Sequence, residues 1–151
     1  MKVQFKKCHE DAIIPKYVHS TDSGMDIFAI DNHSLYSSNT VKVRTGLQMI
    51  LPEGFEAQIR PKSGLSLQGL HVHLGTIDNG YEGEIMVNTC CLNNREYVIK
   101  KGEKIAQIVI QKIEQFEVEE IFEIENKSTR GSGGFGSTGL NSGISFRDEG
   151  K

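Results

Sequence analysis

The chain has 151 residues, of which 37% are hydrophobic and 25% are charged; this length predicts one domain, and the composition is too apolar for a disordered protein. The 17 basic and 20 acidic residues give a net charge of −3, which argues against a broad electrostatic surface for nucleic acid. No apolar run approaches the roughly 20 residues that cross a bilayer. We therefore expect neither nucleic acid nor a membrane as a partner.

The segment from Met1 to Cys8 lacks the apolar stretch and the cleavage site of a signal peptide. Two of the three cysteines, Cys90 and Cys91, are adjacent, so their side chains would point to opposite faces of a strand. An odd number of cysteines placed in this way favours reduced thiols. We therefore expect a cytoplasmic location.

A hydrophobic period of two recurs along the chain and predicts β-strands. The strand-like segments, in chain order, are 41–44, 55–59, 84–91, 104–110 and 116–124. Turn-forming residues separate them, and a single short helix is predicted around residues 63–68. Because nothing fits a βαβ alternation, the predicted fold class is all-β, a sandwich or a barrel.

The segment 126–143 differs from the rest, because six of its 18 residues are Gly and six are Ser or Thr. Such a segment buries too little apolar surface to offset its ordering entropy, so we expect it to be mobile. Its glycines at 131, 133 and 136 have the spacing of a dinucleotide fingerprint, but the 15 residues that follow are too few for that fold. Composition leaves open a plain terminus or an anion-binding arm, in which Arg130 and backbone amides would be the donors.

Other signals are ambiguous when they are taken alone. Asp78 lies in an Asp-Asn-Gly turn, which explains the residue without any catalytic role. The stretch 60–64 fits either a capped helix start or a phosphate cradle. His71 and His73 could bind a metal as a pair, but surface strand histidines are the better interpretation because no third ligand is spaced near them.

Five segments, in order and with matching spacing, resemble the five motifs of the trimeric dUTP pyrophosphatase (dUTPase) family. They are 23–29 (SGMDIFA), 61–65 (PKSGL), 75–85 (GTIDNGYEGEI), 102–108 (GEKIAQI) and 130–139 (RGSGGFGSTG). The resemblance implies a jelly-roll-like β-barrel subunit, here residues 1–125, assembled as a homotrimer with three shared active sites. It also implies that residues 126–151 form a mobile C-terminal arm that completes a neighbour's site.

The implied reaction is the hydrolysis of dUTP to dUMP and pyrophosphate by in-line attack of water on the α-phosphorus. In the cell this activity limits uracil incorporation into DNA and supplies dUMP for thymidylate synthesis. Asp78, carried over from the third motif, is the implied general base. A carboxylate one hydrogen bond from the attacking water can orient the water and accept its proton.

The resemblance also implies a set of substrate-binding residues. Tyr81 would pack on the deoxyribose and exclude a 2′-hydroxyl, while backbone groups near Met86 and in the hairpin that leads into Gly75, Thr76 and Ile77 would read uracil. The residues implied for the phosphates are Lys62, Ser63, Gly64 and Gln107. The arm would add Arg130, Ser137 and Thr138 at the γ end. Gly136 is a further substrate-binding residue of the arm, and Phe135 would stack on the base.

A Mg²⁺ that bridges the phosphates is the implied cofactor, since Mg²⁺ keeps several waters and prefers phosphate oxygens. Asp26 of the first motif is the acidic residue predicted to assist the metal through a water. Two positions depart from the family pattern, because Lys62 and Lys104 stand where Arg is more usual. A lysine offers a point charge instead of a bidentate fork.

Two alternatives stay open at this point. A dCTP deaminase shares the fold and would need an acid/base glutamate, for which Glu82 and Glu84 are candidates. A dUTPase-like trimer could also act as a nucleotide-gated regulator of a protein partner, in addition to its catalytic role.

Overall fold

The computed structural model describes residues 1–37, 39–93 and 95–124, and within them eleven strands and one short helix. In chain order the elements are β1 (Gln4–Lys7), β2 (Met25–Phe28), β3 (His33–Leu35), β4 (Val41–Arg44), β5 (Leu47–Ile50), β6 (Phe55–Arg60), α1 (Ser63–Leu67), β7 (Leu70–Val72), β8 (Gly75–Ile77), β9 (Met86–Cys91), β10 (Tyr97–Ile99) and β11 (Lys104–Lys112). The all-β prediction is confirmed. In the described ranges no helix is long and apolar enough to cross a bilayer.

The strands form two larger sheets and two strand pairs. The four-stranded sheet has the order β2-β11-β6-β8, and the three-stranded sheet has the order β4-β9-β7. The pairs are β1 with β5 and β10 with β3, and the pairings between these strands are antiparallel. Strands distant in sequence are therefore neighbours, and this brings three of the predicted motifs onto the four-stranded sheet.

One hydrophobic core receives side chains from both larger sheets. Ile27, Ile59 and Ile108 contribute from the four-stranded sheet, and Val43 and Val87 contribute from the three-stranded sheet. Each of these side chains is at most 2% exposed, while alternate residues of the same strands are more accessible. Burial of such a side chain contributes about 1.5–3 kcal/mol, so the core fixes the register that positions the polar residues of the site.

The structure confirms four of the predicted strands, as β4, β6, β9 and β11, and the short helix as α1. The periodicity did not single out the short strands β1, β2, β3, β5, β7, β8 and β10. These strands have three or four residues each, which is too short for an alternating pattern to stand out.

The prediction of a strand at 116–124 is wrong for the single chain. These residues adopt no strand, and the side chains of Phe116, Val118, Phe122 and Ile124 are 80–99% exposed. The chain divides into two units at this point, Met1–Gln115 and Phe116–Lys151. The alternating pattern is real, but a strand also needs a partner strand, and the described residues of this segment have none.

Candidate functional site

A cavity of about 410 Å³ opens beside the segment that joins β8 to β9. Six of the residues predicted for the site line it: Gly75, Thr76, Ile77, Asp78, Tyr81 and Met86. Lys42, Ile59, Glu84, Ile85 and Asn88 complete the lining. We call this space the hairpin cavity, and it gathers the predicted base together with the residues predicted for the sugar and uracil.

Asp78 lines the hairpin cavity and is held there by the strand before it and the turn after it. Ile77 is only 8% exposed and pairs with Ala57 of β6, which fixes the end of β8. The carbonyl of Asp78 accepts a hydrogen bond from the amide of Tyr81 at 3.2 Å, and Gly80 takes a φ of +89° inside this turn. The side chain of Asp78 is exposed, so solvent water can reach it.

Asn79 anchors the same turn to a different loop. Its side-chain amide donates to the carbonyl of Pro52 at 2.7 Å and to that of Leu51 at 3.2 Å. The Asp-Asn-Gly sequence alone indicated only a turn. The structure shows that the turn is also tied to the loop before β6, so its neighbour Asp78 is held in place from two sides.

Tyr81 lies folded back over its own loop. Its hydroxyl donates to the carbonyl of Glu84 at 3.2 Å. A Cβ placed on Gly83 would come within 2.2 Å of the tyrosine oxygen and 2.4 Å of the ring carbon that carries it. Only glycine at position 83 therefore allows the ring to take this position.

Glu84 is a structural residue with both carboxylate oxygens engaged. The guanidinium of Arg44 donates through Nε to Oε1 at 3.3 Å and through Nε and Nη2 to Oε2 at 3.1 Å each. The amide of Gly46 adds a hydrogen bond to Oε1 at 2.8 Å. The pair thus ties the hairpin cavity to the end of β4.

A second cavity, of about 320 Å³, lies on the four-stranded sheet. Lys62 and Gln107, which were predicted for the phosphates, line it together with Lys104 and with Asp26, which was predicted to assist the metal. Val18, His19, Asp22, Ser23 and Gly24 complete the lining. We call it the lysine cavity. Within one chain the predicted catalytic base and the predicted phosphate residues therefore line different cavities.

Asp26 is the centre of the lysine cavity. The ammonium group of Lys62 contacts Oδ1, and that of Lys104 contacts Oδ2 at 2.8 Å. Burial by itself would raise the pKa of Asp26, but the hydrogen bonds and charges of the two lysines outweigh it, and the pKa lies below its ordinary value. The carboxylate is therefore held ionised between two cations.

Gln107 is fixed from two directions. Its side-chain amide donates to the carbonyl of Pro61 at 2.9 Å. A Cβ on Gly24 would come within 2.5 Å of Gln107 Oε1 and 3.2 Å of its Cβ, so the glycine of the first motif makes room for the glutamine of the fourth. In the sheet Gln107 pairs with Asp26 on one side and with Arg60 on the other.

Ser63 and Gly64 begin α1 directly after Lys62, and both are exposed. The carbonyl of Lys62 accepts hydrogen bonds from the amides of Leu65 and Ser66, which starts the helix. The Lys62 side chain makes no cap hydrogen bond, since an ammonium group has no acceptor for the helix amides, and it contacts Asp26. Ser63 and Gly64 are thus adjacent to the lysine cavity in sequence, and their contribution to phosphate binding stays a prediction.

The residues present do not fit a protein-bound metal ion. Both oxygens of Asp26 already face lysine ammonium groups. Among the described residues no three His, Cys, Asp or Glu side chains are grouped to hold a metal. His71 and His73 are exposed, with ring centroids 5.1 Å apart in an edge-to-face arrangement. The role of Asp26 toward Mg²⁺ stays a prediction without support from these contacts.

Replacing Asp26 with Asn is expected to lower the free energy of unfolding by about 2 kcal/mol at neutral pH, since hydrogen bonds to charged groups contribute about 1.5–3 kcal/mol. The folded-state pKa of Asp26 is lowered. Its stabilisation is therefore present above the unfolded pKa of about 3.9 and is lost as the pH falls through the folded-state value. Urea unfolding from about pH 7 down to about pH 3 should show the difference between the two proteins shrinking below about pH 4.

A difference between wild type and Asp26→Asn that stays constant over this pH range would contradict the ion-pair account. Glu53→Gln is the matched control, because Glu53 is an exposed carboxylate in the turn before β6. This control should unfold like the wild type at each pH.

The residues predicted from the fifth motif lie outside the described part of the chain. They are Arg130, Phe135, Gly136, Ser137 and Thr138. The division into residues 1–125 and an arm of 126–151 likewise stays a prediction.

The sequence did not indicate several residues that support or line the two cavities. Asn79 and the Arg44–Glu84 pair support the hairpin cavity, and Lys104 lies in the lysine cavity. Lys104 had a signal in the sequence, since it departs from the family pattern together with Lys62. No sequence signal indicated that both lysines contact one carboxylate.

Comparisons with known proteins identify the family of the chain. A family model described as dUTPase matches residues 10–139. The deoxyuridine 5'-triphosphate nucleotidohydrolase of Gloeothece citriformis (strain PCC 7424) is 46% identical over 145 residues, which is 94% of this chain and 99% of that protein. The enzyme of the same name from Hydrogenobaculum sp. (strain Y04AAS1) is 47% identical over 144 residues, 93% of this chain and 99% of that protein.

Solved structures give the same result for the fold. The dUTPase of Staphylococcus bacteriophage 80alpha with dUpNHpp has a TM-score of 0.86 at 30% identity, over 92% of this chain and 99% of that one. A variant dUTPase from phage phi11 of S. aureus, described with a structural Mg(II) ion, has a TM-score of 0.79 at 25% identity, over 83% of this chain and 100% of that one. The all-β subunit has the jelly-roll-like fold that the motifs implied, and the chain belongs to the dUTPase family.

Proposed function

We propose that this protein hydrolyses dUTP to dUMP and pyrophosphate. The observation that carries the proposal is the hairpin cavity, where Asp78, Tyr81 and the backbone of β8 face one space. The backbone of β8 can recognise a base, Tyr81 can pack on a sugar, and the carboxylate of Asp78 can activate a water. Limiting uracil in DNA and supplying dUMP are the cellular consequences that we expect of this activity.

The separation of the two cavities supports a shared active site. The hairpin cavity holds the candidate base and the lysine cavity holds the candidate phosphate ligands, and the two cavities share no lining residue. A homotrimer in which the hairpin cavity of one subunit faces the lysine cavity of another would join them. We therefore propose the trimer as the active form, and its mass in solution is the direct test.

The backbone of β8 suits the recognition of uracil. Among the strands that the structure describes, β8 is at the edge of the four-stranded sheet and pairs with β6. Edge strands present unpaired N–H and C=O groups. Such a row of donors and acceptors can pair with the polar edge of a pyrimidine without any side-chain amide.

In this proposal Asp78 is the general base. Phosphoryl transfer is governed by the positioning of the nucleophile and by charge stabilisation around the phosphates. Asp78 would orient the water in line with the α-phosphorus and accept its proton. The ammonium groups of Lys62 and Lys104 in the neighbour's lysine cavity would contact the leaving pyrophosphate and stabilise its charge.

In this proposal Mg²⁺ would be bound by the phosphates of the nucleotide. The ion prefers phosphate oxygens and water to dedicated protein ligands. This agrees with the absence of a metal-binding group among the described residues. No step assigned here to Asp78, Tyr81 or the lysines requires a protein-bound metal.

Replacing Tyr81 with Ala is expected to narrow the preference for dUTP over UTP by at least about tenfold, because burying a 2′-hydroxyl without a partner costs about 1–3 kcal/mol. The ratio of kcat/KM for the two nucleotides measures this preference. Tyr36→Ala is a matched control, since Tyr36 is also exposed but bonds to Glu96, outside the hairpin cavity. An unchanged ratio of the two kcat/KM values in Tyr81→Ala would contradict the role of Tyr81 in excluding the 2′-hydroxyl.

The deaminase alternative is disfavoured by the environment of Glu84. Both oxygens of Glu84 are occupied by Arg44 and by the amide of Gly46, so this carboxylate is not free to exchange a proton with a pyrimidine amino group. Glu82 is exposed and does not line the hairpin cavity. No observation in the described residues favours the added regulatory role.

One assay tests the proposed function. Pyrophosphate release is measured with dUTP, dCTP, dTTP and UTP, with and without Mg²⁺, and ammonia release is measured with dCTP. We expect pyrophosphate from dUTP far above the other three and no ammonia. Ammonia from dCTP, or equal release from all four nucleotides, would overturn the proposal.

A further inference from the structure

The segment that joins β8 to β9, residues 78–85, carries two side chains that the proposed mechanism uses. Asp78 begins the segment and Tyr81 follows three residues later. None of its eight residues belongs to a strand or a helix. We call it the joining loop. Since it has no regular backbone pairing of its own, its geometry depends on contacts with other parts of the chain, and these contacts form two groups.

The first group of contacts holds the end of the joining loop that carries Asp78. The side-chain amide of Asn79 donates to the carbonyls of Leu51 and Pro52, which belong to the connection between β5 and β6. Leu51 is only 7% exposed and is a member of the hydrophobic core. One side chain therefore attaches the loop to the packed part of the protein, one residue after the predicted base.

The second group of contacts holds the end that follows Tyr81. The carboxylate of Glu84 accepts hydrogen bonds from the guanidinium of Arg44 and from the amide of Gly46, at the end of β4 and just beyond it. The carbonyl of the same glutamate accepts the hydroxyl hydrogen bond of Tyr81. The Glu84 side chain is 15% exposed, whereas Tyr81 is 48% exposed. Glu84 therefore links an exposed ring to a buried attachment point.

The two attachments are separated along the chain and reach different elements. Asn79 bonds to the connection before β6, and Glu84 bonds to the region of β4. Gly80, with a φ of +89°, and Gly83 lie between them. Glycine restricts the backbone less than any other residue, so a displacement at one attachment can be absorbed before it reaches the other. Each attachment is therefore expected to act on its own neighbour.

We propose that Asn79 is a positioning residue for Asp78, that Glu84 is a positioning residue for Tyr81, and that the two act independently. Asn79 fixes the direction of the Asp78 carboxylate, so it affects the turnover of every nucleotide alike. Glu84 holds the ring of Tyr81 in place, so it affects the discrimination between deoxyribose and ribose. The inference rests on the proposed function, and both residues act through their neighbours.

Replacing Asn79 with Ala is expected to reduce kcat for dUTP at least about tenfold with little change in KM, since a displacement of about 1 Å can cost about 100-fold in rate. The kcat for UTP should fall by the same factor, because one base serves both nucleotides. The ratio of kcat/KM for dUTP and UTP should therefore stay at the wild-type value. Steady-state pyrophosphate release with each nucleotide measures these constants.

Asn32→Ala is the matched control for Asn79→Ala. The side chain of Asn32 also bonds to a distant backbone group, the amide of Lys101 at 2.8 Å, and lines neither the hairpin cavity nor the lysine cavity. This variant should keep the wild-type kcat. A wild-type kcat in Asn79→Ala, or an equal fall in both alanine variants, would overturn the role of Asn79.

Replacing Glu84 with Gln is expected to narrow the preference for dUTP over UTP about fivefold, because the Tyr81 ring is still present but is held less firmly. The kcat for dUTP should change by less than about twofold, since Asp78 keeps its own attachment. Arg44→Gln should have the same effect on the preference. The double variant should show no larger effect than either single variant, because all three lack the same ion pair.

Asp11→Asn is the matched control for Glu84→Gln, because Asp11 forms an ion pair with Lys101 at 2.6 Å and lines neither cavity. It should leave the preference for dUTP unchanged. An unchanged preference in Glu84→Gln, or additive effects of the Arg44 and Glu84 substitutions, would contradict the role of Glu84. A fall in kcat as large as that of Asn79→Ala would contradict the independence of the two attachments.

Hydrogen–deuterium exchange, followed by mass spectrometry of the full-length protein, gives a readout that does not depend on turnover. In Asn79→Ala the peptides that cover residues 78–80 should exchange faster than in the wild type, while those of β4 and β5 should not change. A wild type that leaves dUTP intact but shows this pattern would overturn the proposed function. An active wild type whose exchange and kcat are unchanged by Asn79→Ala would overturn only the inference.

Discussion

Replacing Asp78 with Asn is expected to reduce kcat for dUTP at least about 100-fold while KM changes little, since general-base catalysis contributes about 10²–10⁴-fold. Asn keeps the size of the side chain but cannot accept the proton of the attacking water. The fold should tolerate the change, because the Asp78 side chain is exposed and the turn is held by backbone and Asn79 hydrogen bonds. Steady-state pyrophosphate release at saturating dUTP is the measurement.

Asp31→Asn provides the control for Asp78→Asn. Asp31 is a carboxylate in the bend before β3 and lines neither the hairpin cavity nor the lysine cavity. The Asp31→Asn variant should hydrolyse dUTP at the wild-type rate. Near-normal turnover in Asp78→Asn would refute the general-base role, and a loss in both variants would show that the effect is not specific to this position.

Truncation after Glu125 is expected to leave a folded protein with turnover reduced at least about 100-fold. Among the described residues the core cluster lies between Ala12 and Ile108, and the cut leaves all of these residues in place. It does remove Arg130, Ser137, Thr138 and the aromatic ring of Phe135. Base stacking contributes about 1–3 kcal/mol and each charge-assisted contact a comparable amount, so together they exceed the roughly 2.7 kcal/mol of a 100-fold effect.

A second truncation, after Gly139, is the matched control. It removes only residues 140–151 and keeps all the arm residues that the fifth motif predicts. We expect this shorter protein to hydrolyse dUTP nearly as well as the full chain. Full activity after truncation at Glu125 would show that the arm is not needed for dUTP hydrolysis.

The sequence determined the fold class because hydrophobic alternation reports which faces of a strand are buried. It succeeded for the longer strands β6, β9 and β11, for the four-residue β4 and for the one short helix. It failed at 116–124, where the alternation is as clear but the described residues supply no pairing strand. Periodicity records that a segment can form a strand, whereas hydrogen-bonded pairing depends on what lies beside it.

The sequence also determined the kinds of residues in the site, because the five motifs preserve their order and spacing along the chain. How those residues are grouped was decided only by the tertiary structure. The antiparallel register of β2 and β11 pairs Asp26 with Gln107, and the bulge in β11 brings Lys104 to the same face. A one-residue irregularity reverses the face of a side chain, and nothing in the local sequence marks where it occurs.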